Sequence, residues 1–301
     1  MPARCGYSKL TDWQVQDNMD TAVSARIVRG DGAEFIVDET DWGALAFNGA
    51  AAPTYEVFSE KKAVGDGDLV TGQRVGTRDL EIRANAMNTS NNDLLRRQAL
   101  AFFNPKQDYR IYLTYMGSTR WIAGTLAAFS CENQYIWNPQ EFSALFLCAD
   151  PYWNSMDDFG QDIAAETARW GFPYMDHPSY GTLVSLYNFS REVIFDYDGD
   201  VPSPFLAELT ADDTVQNPKL VKDGRYIRIL DTMQAGDKIV INFETARVTK
   251  NGVNILSKVD RSSSFTNALM NPGINEISYE ADSGDNNLHV VLRYYKKYLG
   301  V

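Results

Sequence analysis

The sequence predicts an all-β protein with one α-helix, divided into two domains that are β-sandwiches or split barrels. Short apolar runs with a period of two recur along the chain, and Gly, Asn, Asp and Pro separate them. One segment, Ser90–Phe103, carries apolar residues at helical spacing instead. The 301 residues, of which 44% are hydrophobic, are enough for two ordinary domains with buried cores.

The boundary between the domains is predicted from the apolar strand Phe142–Trp153. Up to Cys148 this strand is apolar on both faces, which is typical of a strand covered on both sides. An Asp-Pro dipeptide then ends it, because proline cannot donate a hydrogen bond and forces the preceding residue out of regular pairing. We predict a first domain at 1–153, a linker at 154–180 and a second domain at 181–301. The residues predicted at the seam are Asp150, Pro151, Tyr152 and Trp153.

The elements of the first domain are predicted from apolar spacing and turn residues. Ser90 is the expected N-cap of the helix. Two long strands, Arg120–Cys131 and Tyr135–Cys148, are expected to form a hairpin that turns near Asn138. This turn would bring the buried cysteines that end the two strands close to opposing each other. Further strands are predicted at Ala22–Val28, Glu34–Val37, Tyr55–Phe58, Leu80–Ala84 and Tyr109–Leu113.

The segment Glu60–Arg78 has a different character. It contains four glycines and charges of both signs, and it lacks a sustained apolar pattern. Loops of this length are uncommon inside compact domains and usually have a function. We predict a mobile loop or an arm that crosses to a neighbouring copy of the chain; a surface loop without a partner is the alternative. The predicted contact residues of the arm are Lys62, Leu69, Val70, Arg74 and Arg78.

The second domain is predicted as a β-sandwich of jelly-roll type. Short strands recur between hairpin turns such as Asn251-Gly252. The predicted strands are Val184–Phe189, Val193–Tyr197, Phe205–Leu209, Tyr226–Leu230, Lys238–Phe243, Ala246–Thr249, Val253–Lys258, Glu276–Glu280 and Leu288–Tyr295.

Composition excludes several classes of protein. The net charge of −12 disfavours a groove that grips nucleic acid. No apolar run approaches the roughly 18 residues of a membrane span, and the N-terminus lacks a hydrophobic signal region. Cys5, Cys131 and Cys148 are dispersed and do not form a disulfide framework. We therefore expect a protein made and kept, or assembled, in a cytosol.

The sequence predicts no cofactor, metal or catalytic site. Asp196–Asp200 has alternating carboxylates, but Val201 and Ala207 stand where a calcium-binding EF-hand needs Gly and Glu. His177 and His289 lie far apart without a nearby cysteine, which disfavours zinc. The sequence shows no nucleophile–base set, phosphate loop or dinucleotide fingerprint. We therefore expect that the chain is not an enzyme.

Two ordered sets of short motifs run along the chain. The first set is Gly76–Ile82, Phe103–Lys106 after the helix, and Phe142–Trp153 with its final Asp-Pro-Tyr-Trp. The second set is Phe172–Tyr174, Gly199–Pro204, Asn217–Lys219, Gly236–Ile241, Asn251–Asn254 and Asn271–Asn275. Together, and in this order, they resemble the siphophage distal tail protein family from about residue 55 onward.

The resemblance implies a first domain related to tail-tube proteins, of which six copies close into a hexameric ring at the tail tip. It implies a galectin-like second domain outside the ring, as a platform for receptor-binding or adsorption proteins. The other expected partners are the tail tube protein and the tail-tip hub or tail-associated protein, while DNA passes through the lumen without specific binding. The expected location is the virion, after assembly in the host cytoplasm. The family has no catalytic residues to carry over.

Two other functions stay open. In the first, the second domain is a carbohydrate-binding module for host recognition, although a galectin-like shape does not imply sugar binding. Asn217–Lys219 echoes the galectin Asn-Pro-Arg, but the flanking His and the Trp-Gly-x-x-Glu element are missing. In the second, the chain is a tail-tip enzyme that degrades the cell wall.

Overall fold

A computed structural model describes residues 23–132, 138–162, 166–168, 185–187, 192–265 and 268–301 of the chain. Most of the predicted linker lies outside the described residues, as do Cys5, His177 and the motif Phe172–Tyr174.

The described part of the N-terminal half, residues 23–155, contains ten strands and one α-helix, α1. The strands are β1 Ser24–Arg29, β2 Glu34–Val37, β3 Trp42–Asn48, β4 Tyr55–Lys61, β5 Asp68–Val75, β6 Arg78–Ala86, β7 Asp108–Tyr115, β8 Ser118–Ser130, β9 Glu141–Cys148 and β10 Trp153–Ser155. The helix α1 spans Asn92–Phe102.

One antiparallel sheet, with strand order β2-β1-β7-β8-β9-β6-β3, dominates this half. Alternate residues point to a common core, so Ile27, Ile111 and Ile122 are register neighbours and all are buried. The sheet curls until its two edge strands, β2 and β3, share that core. The rings of Phe35 in β2 and Trp42 in β3 lie 6.0 Å apart. The helix α1 packs on the same core and buries Leu95, Ala99 and Phe102.

The helix and most predicted strands of this half are confirmed, with two corrections. Ser90 is not the N-cap of α1, because a 3-10 turn, Thr89–Asn91, precedes the helix. The Asn88 side chain caps this turn by accepting the N–H of Ser90 at 3.0 Å. Strand β3 escapes sequence prediction, because its small residues and a bulge after Ala44 hide the alternation.

The predicted approach of Cys131 to Cys148 is wrong. The register of β8 and β9 places Ser130 opposite Ser143, so Cys131 lies just beyond that end of the ladder. Cys148 lies at the other end of β9, beside Gly124 of β8. Both thiols are buried, and burial raises the pKa of Cys148 to about 12, so that thiol is unreactive near neutral pH.

The described part of the C-terminal half, residues 159–301, contains fifteen strands. They are β11 Phe159–Asp162, β12 Glu166–Ala168, β13 Ser185–Tyr187, β14 Glu192–Tyr197, β15 Phe205–Ala211, β16 Val215–Gln216, β17 Lys219–Lys222, β18 Arg225–Arg228, β19 Thr232–Met233, β20 Lys238–Asn242, β21 Arg247–Lys250, β22 Val253–Asn254, β23 Gly273–Glu280, β24 Leu288–Tyr294 and β25 Lys297–Tyr298.

Two antiparallel sheets of this half face each other. One has the order β11-β24-β15-β20-β21-β22, and the other has the order β14-β23-β17-β18. Their inner faces share one apolar core, which includes Leu209, Ile227, Ile241, Ile277 and Val290. The predicted all-β fold with one α-helix is thus confirmed for the described residues.

Two details of the predicted C-terminal strands are wrong. Val253–Lys258 is not one strand, because only Val253–Asn254 pairs with β21 and Leu256–Lys258 forms a 3-10 turn. The strand Lys219–Lys222 is missing from the sequence prediction, because its lysines interrupt the apolar alternation. Lys222 nevertheless points to the buried side of the sheet.

The buried apolar residues form two clusters, one from Ala25 to Trp153 and the other from Tyr197 to Tyr294. The predicted limits of the two domains and the linker stay a prediction. Strand β25 crosses this division, because it follows the second cluster in the chain but pairs with β10 in the first sheet.

We expect the substitution Gly124→Val to destabilise the protein by about 1–3 kcal/mol. A β-carbon at Gly124 would lie between 3.1 and 3.3 Å from atoms of Cys148, Phe146 and Ile111, so the larger side chain must displace the core. Urea unfolding measures the change. The matched control Ala123→Val adds the same side chain at the exposed neighbouring position of β8 and should cost less than about 0.5 kcal/mol. Equal losses for the two variants would contradict this account of the core.

Candidate functional site

The predicted seam residues lie between β9 and β10, two strands that both pair with β8. Strand β9 pairs with Thr125–Ser130 of β8, and β10 pairs with an earlier part of β8. Trp153 is fully buried, and its indole N–H donates to the Ala50 carbonyl oxygen at 3.0 Å. The Asp-Pro dipeptide therefore breaks the ladder for a few residues and does not end the sheet.

The second neighbour of β10 comes from the far end of the described chain. Strand β25 pairs antiparallel with β10, with Tyr298 opposite Trp153. Strand β9 has β6 as its second neighbour in the sheet, and β10 has β25 in the corresponding position. The Arg120 guanidinium lies over the Tyr298 ring, 3.6 Å from its centroid, and donates to the Gly300 carbonyl oxygen. We call residues 296–301 the C-terminal strap.

Arg78 lies beneath the strap and is only 1% exposed. Its guanidinium donates to the carbonyl oxygens of Gly49, Ala50, Pro151 and Leu299. Burial lowers the pKa of Arg78, and the carbonyl oxygens replace the water that this cation has lost. From the sequence pattern, Arg78 is predicted as a contact residue of the arm that crosses to a neighbouring copy. The structure corrects that position, because Arg78 begins the buried strand β6.

Residues of the C-terminal half hold the other side of the strap. The Tyr197 hydroxyl accepts the N–H of Lys297 at 2.8 Å, and the Asp200 carboxylate accepts the N–H of Leu299 at 2.9 Å. Burial raises the pKa of Tyr197 to about 12, so its hydroxyl keeps its proton. The Lys297 ammonium in turn donates to Asp150 of the predicted seam at 2.6 Å. The strap thus contacts both halves of the chain.

The strap is not predicted from the sequence, because a strand of two residues has too little alternation to be recognised. The available signal is Gly300, where a β-carbon would lie 1.9 Å from the Ala51 carbonyl oxygen. A glycine indicates a close approach of backbones but does not identify the partner.

The segment predicted as a mobile loop or arm is a β-hairpin. Strands β4 and β5 pair along their length and form a two-stranded sheet of their own. The N–H of Gly76 donates to the Thr54 carbonyl oxygen at 2.8 Å and closes the base of the hairpin. Lys62 lies exposed in the connection between the strands. The polar pattern and glycines of β5 explain why the sequence does not predict this strand.

The register of the hairpin separates two faces. Alternation and a bulge in β5 place Tyr55, Val57, Val70 and Val75 on one side, together with Ser59 and Gln73 and, toward the tip, Lys61 and Asp68. We call this side the apolar face after its four large apolar residues. Val57 is 59% and Val70 is 61% exposed, so described residues leave this face largely uncovered. Leu69, also a predicted contact residue, points to the opposite face.

The opposite face of the hairpin carries an ion pair. Arg74, which the sequence analysis assigns to the contact, lies 2.6 Å from the Glu56 carboxylate. The Arg74 guanidinium also lies 5.6 Å from the centroid of the Phe58 ring. Because both charged groups are largely exposed, this pair adds little stability. The first face therefore carries four large apolar side chains, while the second combines the Arg74–Glu56 ion pair with Phe58 and Leu69.

Residues of the family motifs fix turns in the C-terminal half. The Asp237 carboxylate accepts the Asn251 side-chain amide at 2.8 Å, and the Asn251 side-chain oxygen accepts the N–H of Lys238 at 2.9 Å. The Asn275 side chain accepts the N–H of Asn271 and donates to the Asn271 carbonyl oxygen at 2.7 Å. These side chains bind neighbouring backbone, which is a role in folding.

The acidic turn at Asp196–Asp200 contacts the strap. Asp198 pairs with the Lys296 ammonium, and Asp200 accepts a strap N–H as described above. In the part of the chain that the structure describes, no group of His, Cys, Asp and Glu side chains could hold a metal ion. None of the described helices is long and apolar enough to cross a membrane.

The motif that echoes galectin lies on the four-stranded sheet. The Asn217 amide donates to Asp282 at 2.7 Å, and the Lys219 ammonium pairs with Glu280 at 2.9 Å. Lys219 also lies 4.8 Å from the centroid of the Tyr226 ring. The Lys219 side chain is thus engaged within the sheet, and the Asn217 side chain is engaged just beyond the ends of its strands.

Comparison with known proteins agrees with this architecture. Residues 198–298 match the family described as siphovirus-type tail component, C-terminal domain. The fold is similar to that of the phage SPP1 Dit protein, which is described as a paradigm of hub adsorption apparatus in phages that infect Gram-positive bacteria. The comparison gives a TM-score of 0.65 and 14% identity, and it covers 91% of this chain and 99% of that chain. No curated protein matches the sequence significantly.

Two structures of the phage P2 baseplate in its activated conformation are also similar. The one with Ca has a TM-score of 0.51 and 12% identity over 93% of this chain and 100% of that chain. The one with Sr has a TM-score of 0.52 and 13% identity over 93% of this chain and 99% of that chain.

The family match covers most of both sheets of the C-terminal half, and the similar structures cover the fold of nearly the whole chain. The resemblance carried by the sequence motifs is therefore confirmed, and with it the predicted location in the virion tail. Residues 198–298 thus carry the siphovirus-type tail component C-terminal domain, and the fold of the chain is similar to that of the phage SPP1 Dit protein.

Proposed function

We propose that this chain forms a ring of six copies at the tail tip, which joins the tail tube to the tip and carries receptor-binding or adsorption proteins. The observation that carries this proposal is the exposed apolar face of the hairpin β4–β5. A hairpin of two strands is only marginally stable alone in water, so this one gains stability when another surface covers it. The occupant we propose is the next copy in the ring.

The hairpin suits a cyclic contact. In a ring each copy meets its neighbour head to tail, so the hairpin contacts a different surface of the next copy and not its own equivalent. The proposed contact uses the apolar face, with Lys62 at the tip. Leu69 and Arg74 of the predicted contact set lie on the opposite face and are assigned to solvent.

The outer face of the first sheet suits a lumen through which DNA passes. Asp79, Glu81 and Glu141 project from β6 and β9 away from the core, with Arg83 between them, while Arg26 and Arg110 project from β1 and β7 of the same sheet. The acidic residues of β6 and β9, together with the net charge of −12, disfavour retention of DNA phosphates. We propose that the tail tube protein and the tail-tip hub protein bind the two rims of this ring.

The C-terminal sandwich is proposed as the platform for adsorption proteins. Its turns are fixed by side chains such as Asp237, Asn251 and Asn275, so it presents its surface loops on a rigid scaffold. We propose that the chain acts by assembly and does not catalyse a reaction. The saccharide-binding alternative loses support, because Asn217 and Lys219 have partners within the chain.

Replacement of residues 61–76 by a short Gly-Ser linker is expected to keep the chain monomeric, because it removes one of the two hairpin strands. Light scattering should give six times the chain mass for the parent and a single chain mass for the variant. Circular dichroism should show the same β-type melt for both, since the hairpin forms a separate sheet. A shortened variant that still assembles like the parent would show that the ring contact lies elsewhere.

The substitution Val70→Asp is expected to weaken ring assembly by at least about tenfold in protein concentration, because it places a charge in the proposed apolar contact. Leu69→Asp is the matched control, since Leu69 is equally exposed, at 58%, but lies on the opposite face. Its assembly should change by less than about twofold. If both variants assemble alike, the two faces are equivalent and the proposed contact surface is refuted.

A further inference from the structure

The strap and the hairpin meet at one buried cation. We define the hairpin root as residues 49–54, which lead into β4, together with Gly76 after β5. Arg78 donates to the Gly49 and Ala50 carbonyl oxygens of the root and to the Leu299 carbonyl oxygen of the strap. The root and the strap are therefore joined through one guanidinium, although they are far apart in the chain.

A second contact joins the strap directly to the root. Gly300 lies so close to the root that a β-carbon at this position would be 1.9 Å from the Ala51 carbonyl oxygen. Beside it, the Trp153 indole N–H donates to the Ala50 carbonyl oxygen. The strap, the seam and the root thus pack as one unit of backbone and buried side chains.

The geometry makes this unit cooperative. The two terminal nitrogens of Arg78 serve different segments, because one donates to the root and the other donates to Leu299 of the strap. If the strap leaves, a buried charged N–H group loses its acceptor, which is far more costly than the loss of an exposed hydrogen bond. Water must then enter or Arg78 must shift, and either change disturbs the carbonyl groups of the root.

The strap in turn depends on the C-terminal half of the chain. Its N–H groups at Lys297 and Leu299 are bound by the Tyr197 hydroxyl and the Asp200 carboxylate. The N–H groups of Asp200 and Val201 donate to the Lys297 carbonyl oxygen. The start of the C-terminal sandwich therefore contributes four of the hydrogen bonds that hold the strap.

We propose that the C-terminal strap is a conformational latch that fixes the hairpin root, so that a chain presents its hairpin for assembly only when its C-terminal half is docked on the first sheet. The link to assembly rests on the proposed role of the hairpin in the ring. The coupling between the strap and the root is independent of that role, and it is measured on the single chain.

The test uses the full chain with Gly300→Ala, because the added β-carbon cannot coexist with the docked strap. Hydrogen exchange with mass spectrometry is measured at a chain concentration where light scattering shows monomers. The latch predicts that exchange in peptides covering 49–56 and 74–78 accelerates by about tenfold or more. Peptides of β15 and β20, in the core of the C-terminal sandwich, should exchange as in the parent.

The matched control is Gly30→Ala, because its added β-carbon would meet no atom closer than 3.5 Å. It should leave the exchange of the root unchanged. A second variant that lacks residues 297–301 decides the result if Gly300→Ala leaves the strap peptide protected. Unchanged exchange of the root would overturn the latch if it is found with an unprotected strap in Gly300→Ala or in the variant without residues 297–301.

Ring formation is measured on the same variants at high concentration. The latch predicts that Gly300→Ala needs at least about tenfold more protein than the parent to form rings. If exchange in the root accelerates but rings form at the same concentration as in the parent, the coupling between strap and root is supported and the proposed role of the hairpin is refuted. Unchanged exchange of the root after the strap is released or removed would refute the latch itself, whatever the variant does at high concentration.

Discussion

The Arg78 guanidinium joins three segments that lie far apart in the chain: the root of the hairpin, the interruption after β9 and the C-terminal strap. Its partners are backbone carbonyl oxygens, and no carboxylate of the described residues forms an ion pair with it. A buried cation costs several kcal/mol in lost hydration unless acceptors replace the water. Because carbonyl groups cannot move without their backbone, the position of Arg78 depends on all three segments at once.

This constraint explains how two separate cores form one molecule. The two clusters of buried apolar residues are divided between the halves, and β25 crosses the division to pair with β10. Halves joined only by a linker are expected to move relative to each other. Here backbone pairing, the Tyr197 hydroxyl and the Asp200 carboxylate connect the strap to both halves. The relative position of the halves thus depends on directional hydrogen bonds and not on apolar contact alone.

The proposed function uses surfaces and not an enclosed site. Motif residues such as Asp237 and Asn275 fix turns, and the hairpin exposes large apolar side chains to solvent. A structural tail component needs a shape and contact surfaces, and such requirements fall on turns, core alternation and exposed edges. This accounts for a fold shared with the SPP1 Dit protein at only 14% identity.

The sequence by itself determined the all-β class, the helix α1 and the longer strands, because alternation of apolar residues and helical spacing are local patterns. The break after β9 was predicted for the same reason, since an Asp-Pro dipeptide acts on its own backbone. Only the tertiary structure decided the register that separates Cys131 from Cys148, the opposite faces of Leu69 and Val70, and the strap. A charged residue such as Arg78 is expected on the surface, and its buried position depends on carbonyl groups up to 221 residues away. Backbone carbonyl groups are present at every residue, so no sequence pattern indicates which of them will converge on one side chain.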